Sequence, residues 1–262
     1  DWSAPIQNVT YADIHNTIAY SLPGKIPIRA KGNGRVPVPG WTDEHEWVGT
    51  LPFRELPHLH NPATDTIVTA NNRVVNEDYP HWLGNDYCIG DRAQRILELI
   101  GSRDRIDLAA IERMQCDQLS PHARGMAQRL AALPTEGVDP DVARVIGLME
   151  DWQGTLDAGS PQAAVYEVFV REMIRLLLEP ELGDLAIHVA GKGPTPGIQG
   201  WSLFGERSWE WVEQILESRE AHWFDRRGIE GAALDAATHS WCSRDRCIHT
   251  ALSRAISFLQ NE

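Results

Sequence analysis

The chain has 262 residues, 42% of them hydrophobic, enough to bury a sizeable core as one large domain or two small ones. It carries 37 acidic against 24 basic residues, a formal net charge of −13, and no run of Lys or Arg offsets that sign. Such a surface repels phosphate, which argues against nucleic acids and anionic membranes as partners, and the longest apolar runs are far too short to span a bilayer.

The chain opens with Asp1-Trp2-Ser3-Ala4-Pro5, without an initiator methionine or a signal-peptide pattern. It reads as chain already in progress, and the expectation is a processed or excised segment. Residues 1–90 hold most of the prolines and several short extended runs. Val9–Ala12 and Thr17–Tyr20, separated by the polar stretch Asp13–Asn16, predict a hairpin. Arg35–Gly40 contains two prolines and suits an ordered extended segment or an edge, not a central strand. Trp47–Phe53 and Thr66–Ala70 predict two further strands, the second β-branched throughout as a buried strand is. His58-Leu59-His60 could set two imidazoles on one face of a strand, but no acidic residue or cysteine follows at a supporting spacing, so an ordinary loop is expected. Trp41 and Trp47 suit either the core of a β-layer, the simpler expectation, or a sugar-stacking face.

From Arg92 onward the periodicity is helical. Ser120-Pro121, Asp139-Pro140 and Ser160-Pro161 carry one shared start signal. In each, a side-chain oxygen can cap free N–H groups, and the proline stands where its missing N–H costs nothing. Apolar residues at helical spacing follow each one. A Gly/Pro-rich loop over 191–200 then precedes a last helical set, with Trp209, Val212 and Leu216, then 234–259. The reading is an α+β chain with a β-rich part over 1–90 and a helical region over 91–262. The cysteines Cys88, Cys116, Cys242 and Cys247 match no zinc spacing and are expected to be unpaired thiols.

No Gly-x-Ser-x-Gly, His-Glu-x-x-His, phosphate loop or dinucleotide fingerprint occurs. The more informative stretch is Thr69-Ala70-Asn71-Asn72-Arg73, where a β-branched run ends in two amides and a guanidinium. An asparagine there can aim its NH2 at a developing oxyanion, or it can simply make a turn. Taken alone, Asp91 reads as a helix N-cap and Arg92 as a solvated first-turn residue.

Read together, these segments resemble the penicillin amidase family of N-terminal-nucleophile hydrolases. The resemblance runs through Gln7–Asp13, Ile18–Tyr20, Gly32–Gly40, Glu46–Phe53, Asn61-Pro62, Thr69–Arg73, Asp78–Pro80 and Asp91–Ile96, in that order. Looser matches follow at Met114–Asp117, Ser120–Ala123 and Trp152–Gly154. It implies an αββα sandwich whose nucleophile is a serine exposed by autocatalytic cleavage, with that serine's α-amino group as the base. It implies that Asn71 holds the oxyanion, that Arg92 supports and orients the asparagine, and that Gln7 lines the acyl-binding pocket. No Ser-Asn-Asn-Trp-like run occurs, so the nucleophile is expected outside this chain.

The implied partners are the remaining segments of the same amidase, its small subunit and the rest of its large subunit, together with a small-molecule acyl amide. Calcium is implied for the parent enzyme, with most ligands outside this chain. A backbone carbonyl near Gly34 falls at one matching position, whereas His81-Trp82-Leu83 stand where an acidic ligand is expected. The resemblance also implies a periplasmic or extracellular location. The alternative expectation is a catalytically inactive binding or interaction module that keeps the fold.

Overall fold

The computed structural model describes residues 2–3, 5–186, 203–218, 223–224 and 241–261, with the side chains of 203–208 and 241–243 excepted. The loop over 191–200 and the helical expectation over 234–240 lie outside the described residues. The chain forms two compact units, Asp1–Asp104 and Arg105–Glu262. The architecture is α+β, with the described strands and one α-helix in the first unit and helices in the second.

In the first unit the hairpin forms as its pattern requires. β1 (Val9–Ala12) pairs antiparallel with β2 (Ile18–Ser21), Val9 opposite Ser21 and Ala12 opposite Ile18. The turn closes because the Asp13 carboxylate accepts the N–H groups of His15 at 2.8 Å and Thr17 at 3.0 Å, while Asn16 takes a left-handed φ of 62°. β3 (Pro27–Arg29) pairs with β4 (Trp47–Thr50) in a separate two-stranded sheet. The predicted strand over Trp47–Phe53 stops at Thr50, because Pro52 has no N–H to extend the ladder.

Three expectations are corrected. His58–His60 is not a loop but strand β5, antiparallel to β2. Asn61 anchors its end, its side-chain oxygen accepting the Ile18 N–H at 2.8 Å. Thr66–Ala70 is not a strand, since no described segment pairs with it; Thr66–Thr69 are half-buried and only Ala70 is buried. Trp41 and Trp47 do not fill a core: they are 86% and 64% exposed. The core cluster of this unit is small, Ile26, Leu51 and Leu56 with Leu22 and Leu83 against them. Helix α1 (Asp91–Gly101) begins where the sequence changes character, and it belongs to the first unit.

The second unit contains α2 (Leu108–Gln115), α3 (Pro121–Ala131), α4 (Pro140–Met149), α5 (Pro161–Leu182), α6 (Leu203–Glu217) and α7 (Trp241–Asn261). The three predicted start signals all cap. Ser120 accepts the Ala123 N–H, Ser160 that of Ala163, and Asp139 those of Asp141 and Val142. Each cap is worth about 1 kcal/mol. The central helix is α5, whose Phe169, Met173 and Leu177 are fully buried. Its main neighbour is α7, where Ile248, Ala251, Leu252 and Ala255 recur at helical spacing and are buried. The small Ala251 and Ala255 let the two helices approach closely.

His122 is buried among α3, α5 and α6. Its Nδ1 shares a 2.7 Å hydrogen bond with the Tyr166 hydroxyl, and its ring lies 3.8 Å from the Trp209 ring. Its Nε2 faces the Glu213 carboxylate at 3.5 Å. Burial nonetheless wins: desolvation pushes the imidazole down to about 4, against opposing help from the Trp209 backbone and Glu210. His122 is therefore neutral at pH 7, and the approach to Glu213 is not a charged pair.

Two predictions follow from this packing. The Gly154 carbonyl accepts the Ser120 N–H at 2.9 Å, and its φ is +79°. A Cβ there would meet the Arg124 nitrogen at 2.5 Å and the Ser120 oxygen at 2.7 Å, both backbone atoms that cannot swing away. Gly154→Ala should destabilise the helical unit by more than about 2 kcal/mol in urea unfolding. For His122, the unfolded state binds the proton first, so stability present above pH 6.5 is lost as the pH falls toward about 4. Thermal melts over that window should show the loss, and His122→Gln should flatten it.

Candidate active site

The site is built where the extended run 66–70 turns and meets the start of α1. Asn71 takes a left-handed φ of 62°, which asparagine tolerates better than other residues with a Cβ. Arg92, the second residue of α1, reaches back over 21 positions. Its Nη2 donates to the Asn71 Oδ1 at 2.8 Å and to the Ala70 carbonyl at 2.8 Å. A guanidinium can only donate, so the oxygen of the Asn71 amide must face it and the NH2 must face away.

Two further hydrogen bonds hold the turn. The Asn72 Oδ1 accepts the Ala70 N–H at 3.0 Å, and the Cys88 N–H donates to the Asn71 carbonyl at 2.9 Å. The result is lopsided. The Ala70 oxygen, the Asn71 backbone oxygen and the Asn71 side-chain oxygen each accept a hydrogen bond. The Asn71 N–H and NH2 donate to no other described residue. The exposed end of this turn therefore presents donors beside a fixed positive charge.

The helix start breaks a local rule. Asp91 is not the N-cap; Gly90 is, with no side-chain capping bond, and Asp91 is the first helical residue. Arg92 is not an idle solvated side chain, as its two bonds show. A cation in the first helical turn opposes the macrodipole, at a cost of about 0.3–1 kcal/mol. That cost makes sense where the charge has other work.

Gln7 is exposed and makes no hydrogen bond to Asn71 or Arg92. Its neighbour Asn8 is held, accepting the Tyr20 hydroxyl at 2.7 Å. Neither an amide nor a guanidinium is a nucleophile or a base at neutral pH. The nearby phenols do not serve either. Burial raises Tyr87, against a lowering by Arg73, and burial with Glu55 raises Tyr79. The site can stabilise developing negative charge; it does not itself attack or take a proton.

The described residues do not fit a calcium ion at Gly34. The Arg29 guanidinium packs against that glycine, so close that an added Cβ would meet its nitrogens at 3.0 Å. The same guanidinium lies over the rings of Trp47 and Trp82, at 5.9 and 5.5 Å from their centroids. A fixed cation in that place repels a divalent one. Among the described residues no group of three or more His, Cys, Asp or Glu could hold a metal. Cys88 and Cys116 are free thiols, and the Cys242 side chain lies outside the described residues.

The chain was compared with known proteins. The family model described as penicillin amidase matches residues 1–262. The penicillin acylase 2 proenzyme of Pseudomonas sp. (strain SE83) is 35% identical over 231 residues, covering 83% of this chain and 30% of that proenzyme. An acyl-homoserine lactone acylase, QuiP of Pseudomonas fluorescens (strain Pf0-1), is 32% identical over 189 residues, 67% of this chain and 23% of that acylase. The thermostable penicillin G acylase from Alcaligenes faecalis has the same fold, with a TM-score of 0.67 at 21% identity over 99% of this chain and 47% of that one. The chain therefore spans less than a third of these two curated relatives.

The Asn71–Arg92 bond has a measurable size. A double-mutant cycle with Asn71→Gly, which keeps the left-handed turn, and Arg92→Ala should give a coupling energy of about 1 kcal/mol by denaturant unfolding. A coupling near zero would mean that the guanidinium does not hold the amide in solution.

Proposed function

The chain belongs to the penicillin amidase family, and from that premise we propose that it is the part of an acyl-amide hydrolase that supplies oxyanion stabilisation, Asn71 donating to the oxyanion and Arg92 orienting Asn71. The observation that carries this reading is the lopsided Ala70–Asn71 turn, with its acceptors engaged and the Asn71 donors left without a described partner.

The chemistry runs as follows. A serine of N-terminal-nucleophile type, outside this chain, attacks the amide carbonyl, and its hydroxyl proton passes to its own α-amino group. The carbonyl π electrons move onto oxygen, and the Asn71 NH2 donates to the oxyanion so formed. Arg92 keeps the amide oxygen turned away from the reacting centre, and its charge strengthens the amide as a donor. Collapse expels the amine, which takes the proton; water then releases the carboxylic acid from the acyl-enzyme. No step passes through a metal.

The relatives' names, penicillin acylase and acyl-homoserine lactone acylase, point to a small acyl amide as substrate. Gln7 is the residue we place at the acyl pocket. The first unit also favours burial against the rest of an enzyme. β1 and β5 are sheet edges, and Trp41, Trp47, Val48 and Phe53 are largely exposed. We take the small subunit and the remainder of the large subunit to cover them, and a periplasmic or extracellular location follows from the family resemblance. The exposure of Trp41 and Trp47 also favours a second reading, an inactive binding module.

One assay separates these readings. In the complete enzyme, Asn71→Asp keeps an acceptor for Arg92 and puts a carboxylate oxygen in place of the donating NH2, so kcat should fall by at least about 10²–10³ on aryl-acetyl or long-chain acyl amides. The 262-residue chain alone should give no turnover. Full activity in Asn71→Asp would remove Asn71 from the reaction. A complete wild-type protein with no amidase activity would select the binding module.

A further inference from the structure

The tandem amides do different jobs. The Asn71 side chain has its oxygen held and its NH2 free of described partners. The Asn72 side chain is committed at both ends to the local backbone: its Oδ1 accepts the Ala70 N–H at 3.0 Å, and its Nδ2 donates to the Arg73 carbonyl at 3.0 Å. The Asn72 amide thus spends its oxygen and one of its two N–H bonds on the local backbone, whereas the Asn71 amide spends only its oxygen. We infer that Asn72 is a positioning residue for the proposed oxyanion donor: its carboxamide closes the turn in which Asn71 stands left-handed, and so sets the direction of the Asn71 NH2. The inference rests on the acyl-amide hydrolase reading given above.

The geometry explains why one latch is not enough. Arg92 holds the outer side of the turn, through the Ala70 carbonyl and the Asn71 Oδ1. The Cys88 N–H holds the Asn71 carbonyl. Neither touches the Ala70 N–H. Without Asn72 that N–H, which belongs to the Thr69–Ala70 peptide, loses its partner, and the chain entering the turn at Ala70 is free to rotate. Asn71 follows directly on Ala70, so a rotation there redirects the Asn71 NH2. The acceptor atom is what the role requires. Aspartate at position 72 keeps it, and alanine does not.

The test is kinetic and uses the complete enzyme containing this chain. Asn72→Ala should lower kcat by about tenfold to 10²-fold, as displacement of a catalytic group does, with KM within about twofold. Asn72→Asp should recover most of the loss, although it gives up the bond to Arg73. Asn71→Asp, measured alongside, reports on the parent reading. If Asn71→Asp is inactive and Asn72→Ala keeps full kcat, the positioning role is overturned and the reading stands. If Asn71→Asp is fully active, the reading itself falls, and the positioning role with it. Should Asn72→Ala fail to fold, Asn72→Leu and Asn72→Asp decide, being close to asparagine in size. Activity in Asp above that in Leu supports the acceptor role, and equal loss in both overturns it.

Discussion

Arg92 donates two hydrogen bonds from one nitrogen, to the Ala70 carbonyl and to the Asn71 side-chain oxygen, and the rest of the candidate site depends on that donation. A guanidinium has five N–H donors and no acceptor, so it polarises whatever faces it in one direction only. It turns an amide that could point either way into one that points its NH2 outward. It also links an irregular turn to the first turn of α1, the most regular element nearby. Precision at the turn is thus borrowed from a helix, which is the usual way to give a loop residue a fixed direction.

The two units contrast in how they are held. The helical unit has a large continuous core, from α3 through α7, in which Phe169, Met173, Leu177, Leu216 and Leu252 are buried. Its polar exceptions are accommodated in different ways. Glu172 stays buried beside the guanidinium groups of Arg171 at 3.0 Å and Arg175 at 3.5 Å, while His122 stays buried by remaining neutral. The first unit relies on hydrogen bonds more than on apolar burial. Side chains of Asp13, Asn61, Asn72 and Arg92 bond to backbone at its turns and strand ends. Its apolar residues outside the small cluster are largely on the surface.

The Trp47–Arg29–Trp82 stack shows how a local charge can replace other ways of holding a loop. Arg29 ends β3, Trp47 begins β4, and Trp82 comes from the segment after Tyr79. The Arg29 guanidinium lies over both indole rings and gains electrostatic attraction to each. The neighbouring His81 is paired with Glu55 at 3.0 Å, and the Tyr79 hydroxyl donates to the Glu55 carbonyl at 2.7 Å. The segment His81-Trp82-Leu83, where the family resemblance expects an acidic ligand, is thus occupied with contacts of its own.

Some features were legible in the residues alone, because their causes are local. The hairpin over Val9–Ser21 follows from two extended runs and an Asp–Asn turn, and the starts of α3, α4 and α5 follow from Ser-Pro or Asp-Pro steps that cap within three residues. The amide pair and the arginine 21 positions later stand out only through the family resemblance, since by side-chain type alone they read as a turn and a solvated helix start. What the sequence could not settle depends on partners distant in the chain. Thr66–Ala70 has every mark of a buried strand, yet β pairing needs a neighbour, and no described segment offers one. Trp41 and Trp47 are hydrophobic enough for a core, but burial is decided by what packs over them. Without the resemblance, Asp91 and Arg92 read as ordinary helix-start residues, and only the fold brings Arg92 within hydrogen-bond reach of the turn at Asn71. The division between Asn71 and Asn72 lay beyond any reading of composition or spacing, because two identical side chains differ only in the atoms that the folded backbone brings within hydrogen-bond reach.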